Sequence, residues 1–321
     1  MNSLVAYRWV KNRFPGIRAS ARAGMVIAMA CSATLLLSGG KAWSIAPNMM
    51  HPAQSLQERY GELHFLLGGQ LAQRGRLIIA EPLLMKASSL LPNDPEVAYT
   101  TAMVLAGLDR IPEALPLMQR AVKGLPAAIE PLYQLSTLAE RANNFPLAIE
   151  SLTKAAELEP ENAVIFYDLG VLYSRQGDHQ RSADMAKRAC KLKPDSAEAH
   201  NNYAYALTFL GRYVEALHEV NTALQLVPNS AEALDTRGVV YLGLKQYDLA
   251  LKDFNMAIGL NPTIGEIYYH RAQAFSAKNE PMKALSDFQR CLELDPKITE
   301  RPLIEARITQ LLETTKHHAA P

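Results

Sequence analysis

The chain is poor in the residues that usually carry covalent or metal chemistry. It has three cysteines in 321 residues, and only Cys190 and Cys291 lie beyond residue 60. We interpret both as small core residues, and their wide separation argues against a disulfide between them. No phosphate-binding loop, nucleophile–base pair or metal-ligand spacing connects its scattered histidines, and we expect packing or surface roles for His200 and His218, which could face one another in one hairpin. We therefore predict a non-enzymatic protein with no cofactor, metal site or small-molecule substrate.

Acidic residues are absent from the first part of the chain. Residues 1–57 contain six Lys or Arg and no Asp or Glu, a charge of +6, and the remaining 27 basic and 32 acidic residues give −5. Binding to a phosphate backbone needs a basic surface, so a mildly acidic body argues against nucleic acid as a partner.

No apolar stretch reaches the roughly 20 residues that a helix needs to span a bilayer. The apolar run Ala23–Leu37 carries no charge and follows the basic segment, and this order is typical of a secretory signal peptide. We predict a leader with a signal or anchor segment at residues 1–40, a linker at 41–60, and repeats exported to the periplasm. The chain would contact the membrane through residues 23–37 if the leader stays uncleaved. A cytoplasmic or mitochondrial location is the alternative, since an Arg-rich leader without acids also fits a transit peptide.

The rest of the chain repeats every 34 residues. Prolines recur at this spacing without slippage: Pro92, Pro126, Pro160, Pro194, Pro228, Pro262 and Pro296. Two columns of small residues precede them, twelve and five positions earlier, from Ala80 and Ala87 to Ala284 and Cys291. A fixed period of this length is typical of stacked helical hairpins, in which small side chains let helix backbones approach closely.

Gly238, Tyr241, Tyr247, Ala250, Phe254, Ala257 and Pro262 follow the motif of the tetratricopeptide repeat almost as it is written. The chain resembles that family over residues 61–298. The resemblance implies an all-α, right-handed superhelical solenoid of seven hairpins with a C-terminal capping helix and tail at 299–321. The predicted repeat units are 61–94, 95–128, 129–162, 163–196, 197–230, 231–264 and 265–298.

Local signals agree with this division into hairpins. Asp94, Asn162, Ser196 and Ser230 precede first helices, where a short oxygen side chain accepts free backbone N–H groups. Between the two helices of a unit stand the residues that tolerate a left-handed turn: Gly75, Asn143, Gly177, Gly211 and Asn279. Leu303, Ile304, Ile308, Leu311 and Leu312 then predict an amphipathic helix that covers the last hairpin.

The resemblance also implies where partners bind, because first helices of such arrays line a concave groove. The groove positions of the family fall here on Tyr99, Met103, Tyr133, Gln134, Arg141, Tyr167, Asp168, Arg175, Asn201, Asn202, Tyr205, Asp235, Tyr269, His270 and Gln273. Tyrosine combines contact area with a polar tip, and an Asn amide can pair with an extended backbone. We expect the groove to bind an amphipathic helix or an extended protein segment. A carboxylate clamp through Arg141, Arg175 and Asn202 is disfavoured, since tyrosines replace the clamp's lysine.

Two functional hypotheses follow. The first is a protein-binding scaffold in the bacterial envelope that assists assembly of a pilus, secretion or polysaccharide-export complex, because the architecture resembles exported repeat proteins of such systems. The second is an intracellular, membrane-tethered adaptor or a regulatory subunit.

Overall fold

The computed structural model describes residues 55–318, with side chains from 55 to 312. Over that range the regular structure consists of fifteen α-helices without a strand, which confirms the predicted all-α class. The helices fall into two compact units, divided after Leu158. The predicted leader and most of the predicted linker lie outside the described residues.

Unit 1 contains three helical hairpins. Their helices are α1 (Leu56–Gln73) with α2 (Leu77–Leu90), α3 (Pro95–Gly107) with α4 (Ile111–Gly124), and α5 (Ile129–Arg141) with α6 (Phe145–Leu158). Within this unit, each helix from α1 to α5 also packs on the next along the chain. This unit corrects one predicted boundary: α1 begins at Leu56, inside the segment assigned to the linker, because Ser55 and Glu58 form a reciprocal capping box that starts the helix there.

Unit 2 contains four hairpins and a last single helix. The pairs are α7 (Ala163–Arg175) with α8 (His179–Leu192), α9 (Ala197–Phe209) with α10 (Tyr213–Leu226), α11 (Ala231–Gly243) with α12 (Tyr247–Leu260), and α13 (Gly265–Ala277) with α14 (Pro281–Leu294). The single helix α15 spans Arg301–His318. None of the described helices has the length and apolar character required to cross a membrane.

The predicted start and stop signals are confirmed. The side chains of Asp94, Asn162, Ser196 and Ser230 each accept a backbone N–H of the helix that follows. All five predicted turn residues have positive φ, and Asp109 and Lys245, which the sequence did not single out, adopt it as well. Every unit therefore uses the same left-handed turn, even where neither Gly nor Asn is available.

The two small-residue columns form the closest helix contacts. Every member from Ala80 and Ala87 to Ala284 and Cys291 is at most 2% exposed. Large residues of the second helices fill the space beside them, including Leu84, Met118 and Phe254. These positions hold small residues because a larger side chain would force the paired helices apart.

Helix α15 covers the last hairpin, as predicted. Ile304 is buried against Tyr269, Phe288 and Cys291, and Ile308 and Leu311 pack beside it. The prediction was wrong for Leu303 and Leu312, which are 61% and 41% exposed. Successive residues of a helix are rotated by 100° about its axis, so these five apolar residues cover a wider arc of α15 than the last hairpin can bury.

Candidate functional site

First helices of unit 2 lie side by side: α7 contacts α9, α9 contacts α11, and α11 contacts α13. They carry the groove residues predicted for that unit, and α3 and α5 carry those of unit 1. Arg141 and Arg175 are exposed, whereas most of the others are half-buried: Tyr99, Met103, Tyr133, Gln134, Tyr167, Asp168, Asn201, Asn202, Tyr205, Asp235 and Gln273. Half-buried side chains of this kind can contact a partner without becoming disordered in its absence.

In unit 1, Glu130 links two predicted groove residues. The Tyr99 hydroxyl donates to Glu130 Oε1 at 3.5 Å, and Gln134 Nε2 donates to the same oxygen at 2.8 Å. Burial, together with the charge and hydrogen bond of Glu130, raises the pKa of Tyr99 to about 12. Tyr99 is therefore neutral at physiological pH, and its ring packs on the core between α3 and α5 along with Met103.

Arg141 already has partners within unit 1. Its Nη2 donates to Asp109 Oδ1 at 2.8 Å, and its Nη1 donates to the Ala106 carbonyl at 3.4 Å. The Asp109 carboxylate competes with any incoming anion for this guanidinium. This pairing weakens the case for a carboxylate clamp still further.

In unit 2, α9 carries two amide atoms that lack hydrogen bonds. Asn201 Oδ1 and Asn202 Nδ2 are both buried, and no polar atom among the described residues pairs with either. One is an acceptor and the other a donor, on consecutive residues. A buried polar group without a partner is costly, so a hydrogen-bond partner for either atom would be stabilising.

Tyr205 stands one helical turn after Asn201, and three acidic residues act on it electrostatically. Burial raises the pKa of its phenol to about 12, and the charges of Glu266, Asp235 and Glu300 add to the rise. Asn201, Asn202 and Tyr205 lie on α9, Asp235 lies on α11 and Glu266 lies on α13. We call these five residues together the α9 surface. Sequence reasoning missed Glu266 and Glu300, although their negative charge sets the electrostatic character of this surface.

Two predicted groove residues are not available for a partner. Tyr269 and His270 are each only 9% exposed. Tyr269 packs into the cluster that α15 closes, and His270 Nδ1 contacts Asp235 Oδ2 at 2.9 Å. Helix packing covers both positions in the last hairpin, so little of either side chain is left for a partner to contact. Gln273 lies beside Tyr269 and remains partly exposed.

The two histidines of this hairpin have the packing and surface roles that the sequence predicts. His218 is exposed on α10, whereas His200 turns towards Glu219, with 2.7 Å between Nδ1 and Oε2. His200 is therefore paired with a carboxylate of the same hairpin.

Sequence profiles described as tetratricopeptide repeat match residues 133–197 and 167–231, and a second profile with the same description matches 231–264 and 265–298. Together they cover residues 133–298, just over half of the chain. The chain belongs to the tetratricopeptide repeat family. Proteins with this fold are protein–protein interaction scaffolds and generally have no enzymatic activity. Comparison with curated protein sequences gave no significant match.

Solved structures agree on the tetratricopeptide fold. A tetratricopeptide repeat protein from Parabacteroides merdae ATCC 43184 is similar over 79% of this chain and 99% of its own, with a TM-score of 0.63 and 17% identity. A thermophilic TPR protein of Thermus thermophilus covers 58% of this chain and 99% of its own, with a TM-score of 0.51 and 19% identity. At these identities the similarity concerns the fold.

Proposed function

We propose that this tetratricopeptide protein is a scaffold that binds an extended segment of a partner protein on the α9 surface. The unpaired amide atoms of Asn201 and Asn202 are the observation that carries the proposal. An extended backbone presents N–H and carbonyl groups at short spacing, and it can satisfy one donor and one acceptor together. The Tyr205 ring beside them offers apolar contact to a side chain of the same segment.

The charge of the α9 surface indicates the composition of that segment. Asp235, Glu266 and Glu300 all act on Tyr205, and no Lys or Arg is among the groups that shift its pKa. A partner segment with Lys or Arg beside its apolar anchor complements this field. Opposite charge speeds association and makes it sensitive to salt.

The site of action that we propose is the bacterial envelope, where the protein would assist assembly of a pilus, secretion or polysaccharide-export complex. Support comes from the basic leader and the apolar run of residues 23–37 in the sequence. Both lie outside the described residues, so this part of the proposal rests on the sequence alone.

The location is tested by protease treatment of spheroplasts from a Gram-negative host that expresses the full chain. Export predicts that the repeats are digested in intact spheroplasts and that N-terminal sequencing identifies the cleavage or anchor state. Protection of the repeats until lysis would refute the envelope proposal and leave an intracellular adaptor.

Binding is tested by placing a photo-crosslinking amino acid at Tyr205 and, as a control, at Gln225, an exposed position on α10. We expect a discrete crosslinked partner from position 205 only. The double variant Asn201→Ala/Asn202→Ala should weaken capture at least about tenfold, because it removes two hydrogen bonds worth about 0.5 to 1.5 kcal/mol each. Because these amide atoms have no partner to lose, its melting temperature should not fall. Equal crosslinking from both positions would contradict the proposed surface.

A further inference from the structure

Three possible metal ligands meet between α8, α9 and α10. Cys190 Sγ, a His200 ring nitrogen and a Glu219 carboxylate oxygen lie within 4.8 Å of one another. In the sequence these residues are separated by 10 and 19 positions and form no recognisable motif. Packing of the three helices brings them together.

We propose that Cys190, His200 and Glu219 form a binding site for a zinc ion. A thiolate, an imidazole and a carboxylate are the three ligand types that Zn²⁺ accepts, and three protein ligands leave the fourth tetrahedral position for water or for a partner's side chain. With metal–ligand bonds of 2.0 to 2.3 Å, tetrahedral ligand atoms are about 3.3 to 3.7 Å apart. The present separations therefore need side-chain adjustments of only about 1 Å.

The histidine is already oriented as a metal ligand requires. His200 Nε2 lies 3.1 Å from the Pro194 carbonyl oxygen, and Nδ1 faces Glu219 Oε2 at 2.7 Å. A carbonyl acceptor holds a proton on Nε2, which is the arrangement of a metal-bound histidine whose other nitrogen is the ligand atom. The geometry assigns Nδ1 as the ligand atom, and a metal ion there would take the place of the contact between Nδ1 and Glu219.

The surroundings fit a partly enclosed site. Cys190 is buried, and the side chains of His200 and Glu219 are 12% and 19% exposed, so the cluster is largely shielded from solvent. Zinc binds the thiolate form of cysteine, so binding at Cys190 displaces the thiol proton and the affinity should fall as the pH is lowered.

A metal ion at this position would connect two repeats. Cys190 belongs to the hairpin of α7 and α8, whereas His200 and Glu219 belong to that of α9 and α10. Each hairpin of a solenoid contacts only its neighbours, through the interface that they share. A metal ion bonded to both hairpins would stabilise that interface. The zinc site would lie at the base of α9, the helix that also carries Asn201, Asn202 and Tyr205.

The test is equilibrium dialysis of the full-length protein against Zn²⁺, with Co²⁺ as a spectroscopic probe. We expect one zinc per chain, a thiolate-to-cobalt charge-transfer band, and a higher melting temperature with metal bound. Cys190→Ala should remove the band and lower the affinity by at least about 100-fold, since even residues that only orient ligands are worth 10- to 100-fold. Cys291→Ala is the matched control, another buried free cysteine, and should retain both.

Two further variants keep the result interpretable. Glu219→Gln preserves a hydrogen-bond acceptor for His200 but supplies a poor ligand, so it should weaken binding more than about tenfold even if Cys190→Ala folds badly. His317→Ala/His318→Ala removes the histidine pair near the C-terminus. Unchanged zinc binding in Cys190→Ala and Glu219→Gln, or its loss in the His317/His318 variant alone, would overturn the proposal.

Discussion

The ring of Phe254 on α12 occupies the space that a side chain on Gly238 of α11 would need. A Cβ atom built on Gly238 would stand 2.7 Å from Phe254 Cδ1, and closer still to Cε1. Phe254 itself has no exposed surface. The packing of α11 against α12 therefore requires both the glycine at position 238 and the large ring at position 254.

We expect Gly238→Ala to destabilise unit 2 by about 1 to 3 kcal/mol, because the added methyl group must displace a buried ring. Gly259→Ala is the control in the neighbouring helix α12, where an added Cβ meets nothing within 4 Å. It should be neutral or stabilise by up to about 1 kcal/mol, since alanine is the better helix former. Urea unfolding followed by far-UV circular dichroism compares the two variants. Equal free energies of unfolding for Gly238→Ala and Gly259→Ala would show that α11 and α12 accommodate the added methyl group without loss of stability.

The complementary change, Phe254→Ala, should destabilise the protein by about 3 to 5 kcal/mol because it leaves a cavity next to Gly238. Repeats contact only their neighbours, so the damage should be local. Amide hydrogen exchange should speed up in α11 and α12 and remain slow in α1 to α4. Uniform acceleration along the whole chain would contradict local coupling.

Arg237 and Asp253 form a second pair that can be tested. Nε donates to Asp253 Oδ2 at 2.6 Å and Nη2 to Oδ1 at 2.9 Å, and Asp253 is 2% exposed. Asp253→Ala should cost about 3 to 5 kcal/mol because it leaves a guanidinium without its buried partner. Glu215→Ala breaks the exposed pair with Arg212 and should cost at most about 1 kcal/mol. Chemical denaturation of both variants measures the difference, and similar costs would mean that burial does not govern these pairs.

His270 should make stability depend on pH. Burial alone would lower the pKa of His270, but the charge and hydrogen bond of Asp235, with the charges of Glu266 and Glu300, outweigh it and raise the pKa above 6.5. A histidine with a raised folded-state pKa stabilises the protein fully below its unfolded pKa, and this contribution is lost as the pH rises through the folded value.

We therefore expect the melting temperature to fall as the pH is raised from about 6 to about 8, and we expect His270→Gln to lose part of this dependence. The exposed His218 supplies the control, because His218→Gln should leave the profile unchanged. Identical pH profiles for the wild type and His270→Gln would rule out this role.

The sequence predicted the parts of the structure that depend on local chemistry and on the period. Ser196 and Asp94 cap helices because a short oxygen side chain at that position has one favourable use. The burial of Tyr269 was not predicted because its column is half-buried in the other units, and α15 joins the cluster that covers it here. The proximity of Cys190, His200 and Glu219 was not predicted because it results from packing among three helices, which the spacing of residues along the chain does not encode.

The contacts of Arg237 also occur one repeat later. Arg237 Nη1 donates to Asn221 of the preceding hairpin, and Arg271 makes the equivalent bonds to Asn255 and Asp287, each partner shifted by 34 residues. Deleting residues 231–264 would place Arg271 opposite Asn221 with its own Asp287 retained. Unequal recombination between neighbouring repeats would therefore yield a shorter or longer array in which the same arginine contacts connect adjacent hairpins. Gene duplication can thus change the length of this protein in whole hairpins.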